Sequence, residues 1–132
     1  MSPELQPGVR FAWRYTVPPR ATVPQLYHDT PFCLDMPDVL ATGYMVGMME
    51  LACVNGIMPY MDWPREQSLG TMVNFSHFAP TPPGMTLRVE GEVIEVEGRR
   101  VDVVRTAFEH EARRRVGQHQ GRQDRLKYQV RA

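Results

Sequence analysis

The sequence predicts an α+β fold in which a curved antiparallel β-sheet wraps around one long central helix. Three observations carry this reading: one alternating apolar stretch near the N-terminus, one continuous apolar run from Val39 to Met61, and several strand-like stretches after it separated by turn signals. The order strand, helix, strands contains no βαβ alternation, so a parallel sheet is not expected. A helix that is apolar nearly all round must be covered on most sides, and a sheet curling around it is the compact way to do so. The 132 residues fit a single domain spanning residues 1–132.

The first strand is expected at Val9 to Val17, where Phe11, Trp13, Tyr15 and Val17 share one face and Arg10 and Arg14 the other, until Pro18 and Pro19 end it. Thr22 to Met36 mixes aromatic, acidic and proline residues without a period and reads as an irregular lid, with Thr22 able to cap a short helical turn at Val23 to Tyr27. Pro37 and Asp38 open the apolar run. A proline suits the first helical turn and an acid the positive end of the helix dipole, so the long helix is expected to start there. Gly43 and Gly47, four apart within it, cost helix propensity, a loss that the close approach of a sheet or of a partner helix would explain. Four strand-like stretches follow at Leu69 to Phe78, Thr86 to Val96, Arg100 to Glu109 and Arg115 to Lys127, the last of them strongly polar. Thr81-Pro-Pro-Gly84 and Glu97-Gly98 punctuate the others as in an antiparallel meander.

Composition excludes several function classes. Fifteen basic and fifteen acidic residues cancel to a formal charge of zero, so there is no general field to collect nucleic acid or an anionic membrane. Two cysteines, Cys33 and Cys53, do not make a disulfide framework. Val39 to Met61 is long enough to span a bilayer, but Glu50 near its middle and Asn55, Gly56 and Pro59 toward its end argue for a buried helix and against a membrane span. Met1 to Gly8 lacks the basic-then-apolar pattern of a secretory leader, so the cytoplasm is the expected location. Gly-x-Ser-x-Gly, Cys-x-x-Cys, His-Glu-x-x-His and phosphate-cradling glycine loops are all missing, and no metal site is expected.

Three residues stand out chemically. Glu50 is a carboxylate on an otherwise apolar helix, which marks either a catalytic acid or a structural glutamate bonded across the core or to a partner subunit. Thr42 lies two turns earlier, about 12 Å along and about 80° round an ideal helix, and reads equally as a cap or a core filler. His77 follows the alternation of Val73 and Phe75, which points its imidazole inward late in a strand, as a proton carrier or as a satisfied core residue. His28, His110 and His119 have less distinctive surroundings.

The block Met36-Pro-Asp-Val-Leu-Ala-Thr-Gly-Tyr-Met-Val-Gly-Met-Met-Glu-Leu-Ala-Cys53 resembles the hotdog-fold thioesterases of the fluoroacetyl-CoA thioesterase type. Val17-Pro-Pro19, Leu26-Tyr27, Ser68-Leu-Gly-Thr71, Thr81-Pro-Pro-Gly84 and Val96-Glu-Gly-Arg-Arg100 follow in the same order, so the resemblance covers roughly residues 8 to 119. It implies hydrolysis of a short or modified acyl-CoA thioester at the interface of a homodimer or dimer of dimers, without metal or redox cofactor. It also implies that Thr42, Glu50 and His77 form the catalytic group: Glu50 attacks the carbonyl or activates water, His77 orients that carboxylate and assists the departing thiol, and Thr42 donates a hydrogen bond. Met36, Met45, Gly70 and Arg122 are the expected substrate contacts, Gly70 through its main-chain N–H. Met36 stands where the fluoroacetyl-specific enzyme presents a phenylalanine, and another falls near Cys33; a pocket lined by Met36, Met45, Met48 and Met49 would accept a different or larger acyl group, although a methionine stripe is more often plain core. Gln120 and Gly121 precede Arg122 where the family often has an arginine sooner, which leaves the CoA contacts of this edge open. Two other functions fit the same residues: hydration or dehydration of an enoyl thioester, and a non-catalytic acyl-CoA-binding or dimerisation module.

Overall fold

The computed structural model of the chain describes residues 1–77, 79–109, 115–117 and 124–131. Its elements run β1 (Arg10–Thr16), α1 (Val23–Leu26), α2 (Thr42–Ile57), β2 (Gln67–Asn74), β3 (Thr86–Glu97), β4 (Arg100–Glu109), β5 (Arg115–Gly117) and β6 (Asp124–Arg131), with short 3-10 turns at Pro19–Ala21, Pro31–Asp35 and Met58–Tyr60. Five strands lie in the order β1-β3-β4-β6-β2, every neighbouring pair antiparallel, and β5 pairs with β4. The expected sheet with one long helix is therefore present. The polar last stretch divides into β5 and β6, and β6 forms the bridge between β4 and β2.

The period of β1 is as expected: Phe11, Trp13 and Tyr15 are half-buried between exposed neighbours. On the inner side of the sheet, Leu87, Val89 and Val93 of β3 and Val101 and Val103 of β4 are all fully buried. They belong to the same two core clusters as Met45, Met49, Ala52, Cys53 and Ile57 of α2. Each large apolar side chain enclosed this way stabilises the fold by about 1.5–3 kcal/mol relative to exposure. Phe11 makes the closest join between helix and sheet. A Cβ on Gly56 of α2 would fall 2.3 Å from its ring and one on Gly91 of β3 only 2.2 Å, so both positions exclude any side chain while the ring stays where it is.

One expectation needs correction at the helix. It begins at Thr42 and not at Pro37, because Val39 turns back on Pro37, its N–H donating to Pro37 O at 2.8 Å, and the next residues are tied to distant chain: Val23 N–H donates to Val39 O at 3.0 Å, Leu40 N–H to Thr81 O at 2.7 Å and Ala41 N–H to Ala21 O at 2.9 Å. The cover expected on most sides of the helix leaves one face open. The face carrying Gly43, Gly47 and Leu51 is exposed, Leu51 to 49%. At the far edge of the sheet, β2 pairs on one side only and exposes Leu69 and Val73. Among the described residues, no helix is long and apolar enough to cross a membrane.

Candidate active site

Thr42 is the first residue of α2, and its position follows from the extended segment that stops at Ala41. His77 reaches it from another direction. The sequence places His77 late in a strand, but β2 ends at Asn74, three residues short, and the chain then crosses toward the start of α2, where Leu40 N–H bonds Thr81 O. This crossing brings Thr42 Oγ1 and His77 Nδ1 to 2.9 Å, and His77 Nε2 to 3.0 Å from the carbonyl oxygen of Ala79. A carbonyl only accepts, so Nε2 carries a hydrogen. In the neutral imidazole Nδ1 is then the acceptor, and the Thr42 hydroxyl donates to it. Burial pushes the His77 pKa below its ordinary value, opposed by the bond to Ala79, and so favours the neutral ring. The Phe75 ring lies beside the imidazole with centroids 6.4 Å apart. A hydroxyl, a base and a fixed group that orients the base form the arrangement used to activate oxygen for attack on acyl carbon.

Glu50 belongs to a second pair. It is half-buried on the side of α2 facing β2, and a Cβ on Gly70 would fall 2.9 Å from its Oε1. Gly70 thus leaves room for the carboxylate, at the point where the β2–β6 register slips between Gly70 and Met72. Tyr128 donates from its hydroxyl to the Glu50 main-chain carbonyl at 3.2 Å, which fixes the turn of helix without engaging the carboxylate. Among the described residues the Glu50 carboxylate has no hydrogen-bond partner, so it is free to meet a ligand. The expected pairing of His77 with this carboxylate is not formed, because the imidazole is turned to Thr42 and Ala79.

The other expected contacts divide. Met36 caps the Pro31–Asp35 turn and is 47% exposed, in company with exposed Phe32 and Leu34, while Cys33 turns inward. Met45 and Met49 are wholly enclosed in the core and pack the fold; Met48 is nearly so. Arg122, with Gln120 and Gly121, lies outside the described residues, as do His110 and His119. The sequence pattern passes over the Ala79 carbonyl, which has no side-chain signal at all. It also reads Tyr15 and Tyr44 as plain apolar positions, although their hydroxyls bond each other at 2.5 Å. Among the described residues no cluster of three or more His, Cys, Asp or Glu side chains has the makings of a metal site.

Residues 27–124 match the sequence family described as fluoroacetyl-CoA-specific thioesterase. A fluoroacetyl-CoA thioesterase from Streptantibioticus cattleyicolor is 46% identical over 101 residues, which cover 76% of this chain and 72% of that protein. A solved structure of a variant fluoroacetyl-CoA-specific thioesterase, in complex with fluoroacetate and CoA, is similar with a TM-score of 0.85 and 38% identity over 96% of this chain and 95% of that one. A hot-dog-like protein from Thermanaerovibrio acidaminovorans shares the fold at 17% identity, with a TM-score of 0.73 over 96% of this chain and 83% of that one.

Proposed function

The chain belongs to the fluoroacetyl-CoA-specific thioesterase family and has its hotdog fold, and from that premise we propose that it hydrolyses an acyl-CoA thioester to the free acid and CoA through Glu50, Thr42 and His77. The observation that supports this best is the line of hydrogen bonds from the Ala79 carbonyl through the imidazole to the Thr42 hydroxyl. Because that line already supplies a base, the unpartnered Glu50 carboxylate takes the role of nucleophile. It attacks the thioester carbonyl carbon, the C–S bond breaks, and CoA leaves as the thiolate, which makes an acyl anhydride on Glu50. Water then adds to the acyl carbonyl. Its proton passes to the Thr42 oxygen as the Thr42 proton moves to Nδ1 of His77. Collapse expels the Glu50 carboxylate and releases the acid, and the imidazolium proton goes on to the CoA thiolate. The main-chain N–H of Gly70, with no side chain between it and Glu50, is the candidate donor to the developing oxyanion.

Glu50 and Thr42 stand two turns apart on one helix, about 12 Å along its axis, too far for one carbonyl carbon to meet both within a single chain. The proposed site therefore lies at a homodimer interface across the free edge of β2, where exposed Leu69 and Val73 and an unpaired strand backbone favour a second copy. Glu50 of one copy then serves the Thr42–His77 pair of the other. The lid residues Phe32, Leu34 and Met36 close over the acyl group.

Two measurements test this reading. Free CoA thiol should be released from at least one member of a panel of short, branched, halogenated and aryl acyl-CoAs; tight binding of every member with no release would leave a binding module. Dimers that mix Glu50→Gln with His77→Ala chains should recover up to about half the activity of wild type per dimer, since one of the two shared sites is then intact. Mixed dimers as inactive as either parent would return all three groups to a single subunit.

A further inference from the structure

The exposed face of α2 forms the floor of a cleft of about 370 Å³ between Tyr15 of β1, Leu26 of α1 and Gly43, Tyr44, Gly47 and Leu51 of α2. Its position ties it to the chemistry. Gly43 follows Thr42 directly, Gly47 lies one turn on, and Leu26 belongs to the segment that leads into the lid.

The lining is apolar apart from two phenol hydroxyls, and these satisfy each other at 2.5 Å. Burial first, and the bond to Tyr44 second, push the Tyr15 pKa up to about 12, so the Tyr15 hydroxyl stays uncharged at any working pH. The rings of Trp13, Tyr15 and Tyr44 follow one another with centroids 5.5 and 6.0 Å apart, which presents aromatic surface to whatever enters.

Gly47 is the informative residue. A Cβ there would meet nothing within 4 Å, so nothing among the described residues demands glycine, although glycine weakens a helix interior. Gly43, by contrast, is closed over by the Tyr27 hydroxyl, which a Cβ would approach to 2.9 Å. The space above Gly47 is thus kept open for a group from outside. A two-carbon acyl group, comparable to a few waters at about 30 Å³ each, would leave most of this cleft empty, whereas apolar ligands occupy clefts of roughly 300 Å³ and more.

We propose that the cleft over Gly47 is the acyl subsite, and that it selects acyl-CoAs with a bulky apolar acyl group, aryl-acyl included, over acetyl-CoA. The proposal rests on the thioesterase reading, with the thioester carbonyl held at Thr42 and the acyl tail leaving it across Gly43 and Gly47.

The test is Gly47→Leu, which places a branched side chain in the cleft and leaves Thr42, His77 and Glu50 themselves unchanged. The wild-type protein is expected to hydrolyse phenylacetyl-CoA and hexanoyl-CoA with higher kcat/KM than acetyl-CoA. Gly47→Leu should lower kcat/KM for the two bulky substrates by at least about 10-fold, the scale on which pocket-filling groups act, and leave acetyl-CoA within about 3-fold. Gly47→Ala, which adds one methyl in open space, should fold at least as well as wild type and shift the preference in the same direction by less. Equal losses for all three substrates, no loss for any, or separation of the subunits in Gly47→Leu would overturn the proposal, the last by making the cleft an interface between copies. Failure of the wild-type protein to hydrolyse any acyl-CoA would instead remove the thioesterase reading on which the proposal stands.

Discussion

Glu50→Gln is expected to lower turnover by about 1,000-fold or more while leaving the fold and the Thr42–His77 bond in place. The substitution keeps the shape of the side chain in the space that Gly70 leaves for it, and no hydrogen bond within the described residues is lost, because the carboxylate makes none. What disappears is the carboxylate oxygen that the proposed mechanism uses to attack acyl carbon, and the loss of a nucleophile that works with a base is characteristically severe. Trapping adds a second readout. Borohydride added during turnover reduces the side-chain carbonyl of a Glu50 anhydride to an alcohol, found by mass spectrometry of the peptide that carries it. Loss of activity in Glu50→Gln with no reduced Glu50 trapped in wild type would make the carboxylate the base that activates water; near-normal activity of Glu50→Gln would remove it from the mechanism.

His77→Ala is expected to slow hydrolysis by about 100-fold to 10,000-fold, the range for a lost acid or base. The pH profile separates this role from a structural one. The ring must be neutral to take the Thr42 proton, and burial holds its pKa below the ordinary 6.5, so wild-type activity should rise with pH along an acid limb whose midpoint lies below 6.5. That limb should be missing from His77→Ala. Stability shifts with the same sign. The unfolded chain binds the His77 proton more readily than the folded chain does, so stability falls as the pH drops from 6.5 through the folded pKa, and the variant should lack this contribution. An unchanged rate would make His77 a core residue that merely ties Thr42 to Ala79.

The two substitutions probe features of very different legibility. Glu50 can be singled out from the sequence because one carboxylate interrupts a long apolar run, and local composition suffices to see it. The role of His77 cannot be read the same way. Alternation carries β2 through Phe75 to His77, yet the strand stops at Asn74, because the bonds that decide its end run from Leu40 to Thr81, across 41 positions of sequence. The start of α2 is moved for the same reason: Pro37 and Asp38 are good helix openers, but Thr81 and Ala21 bind the N–H groups of Leu40 and Ala41 and keep them out of the helix.

By itself the sequence determined the fold class, the face of β1 that packs inward, the single long helix and the carboxylate that stands out on it, since all of these follow from periodicity, turn residues and residue chemistry over short spans; Thr42 and His77 join Glu50 as candidates only through the resemblance to the family. Only the tertiary structure decided which of those side chains meet. Thr42 bonds His77 across 35 positions, Glu50 meets Gly70 across 20, and Gly47 opens on a cleft where a core contact was equally in keeping with the pattern. Hydrophobic patterning specifies which face of an element turns inward, but the partner each polar group finds depends on where distant segments close on one another.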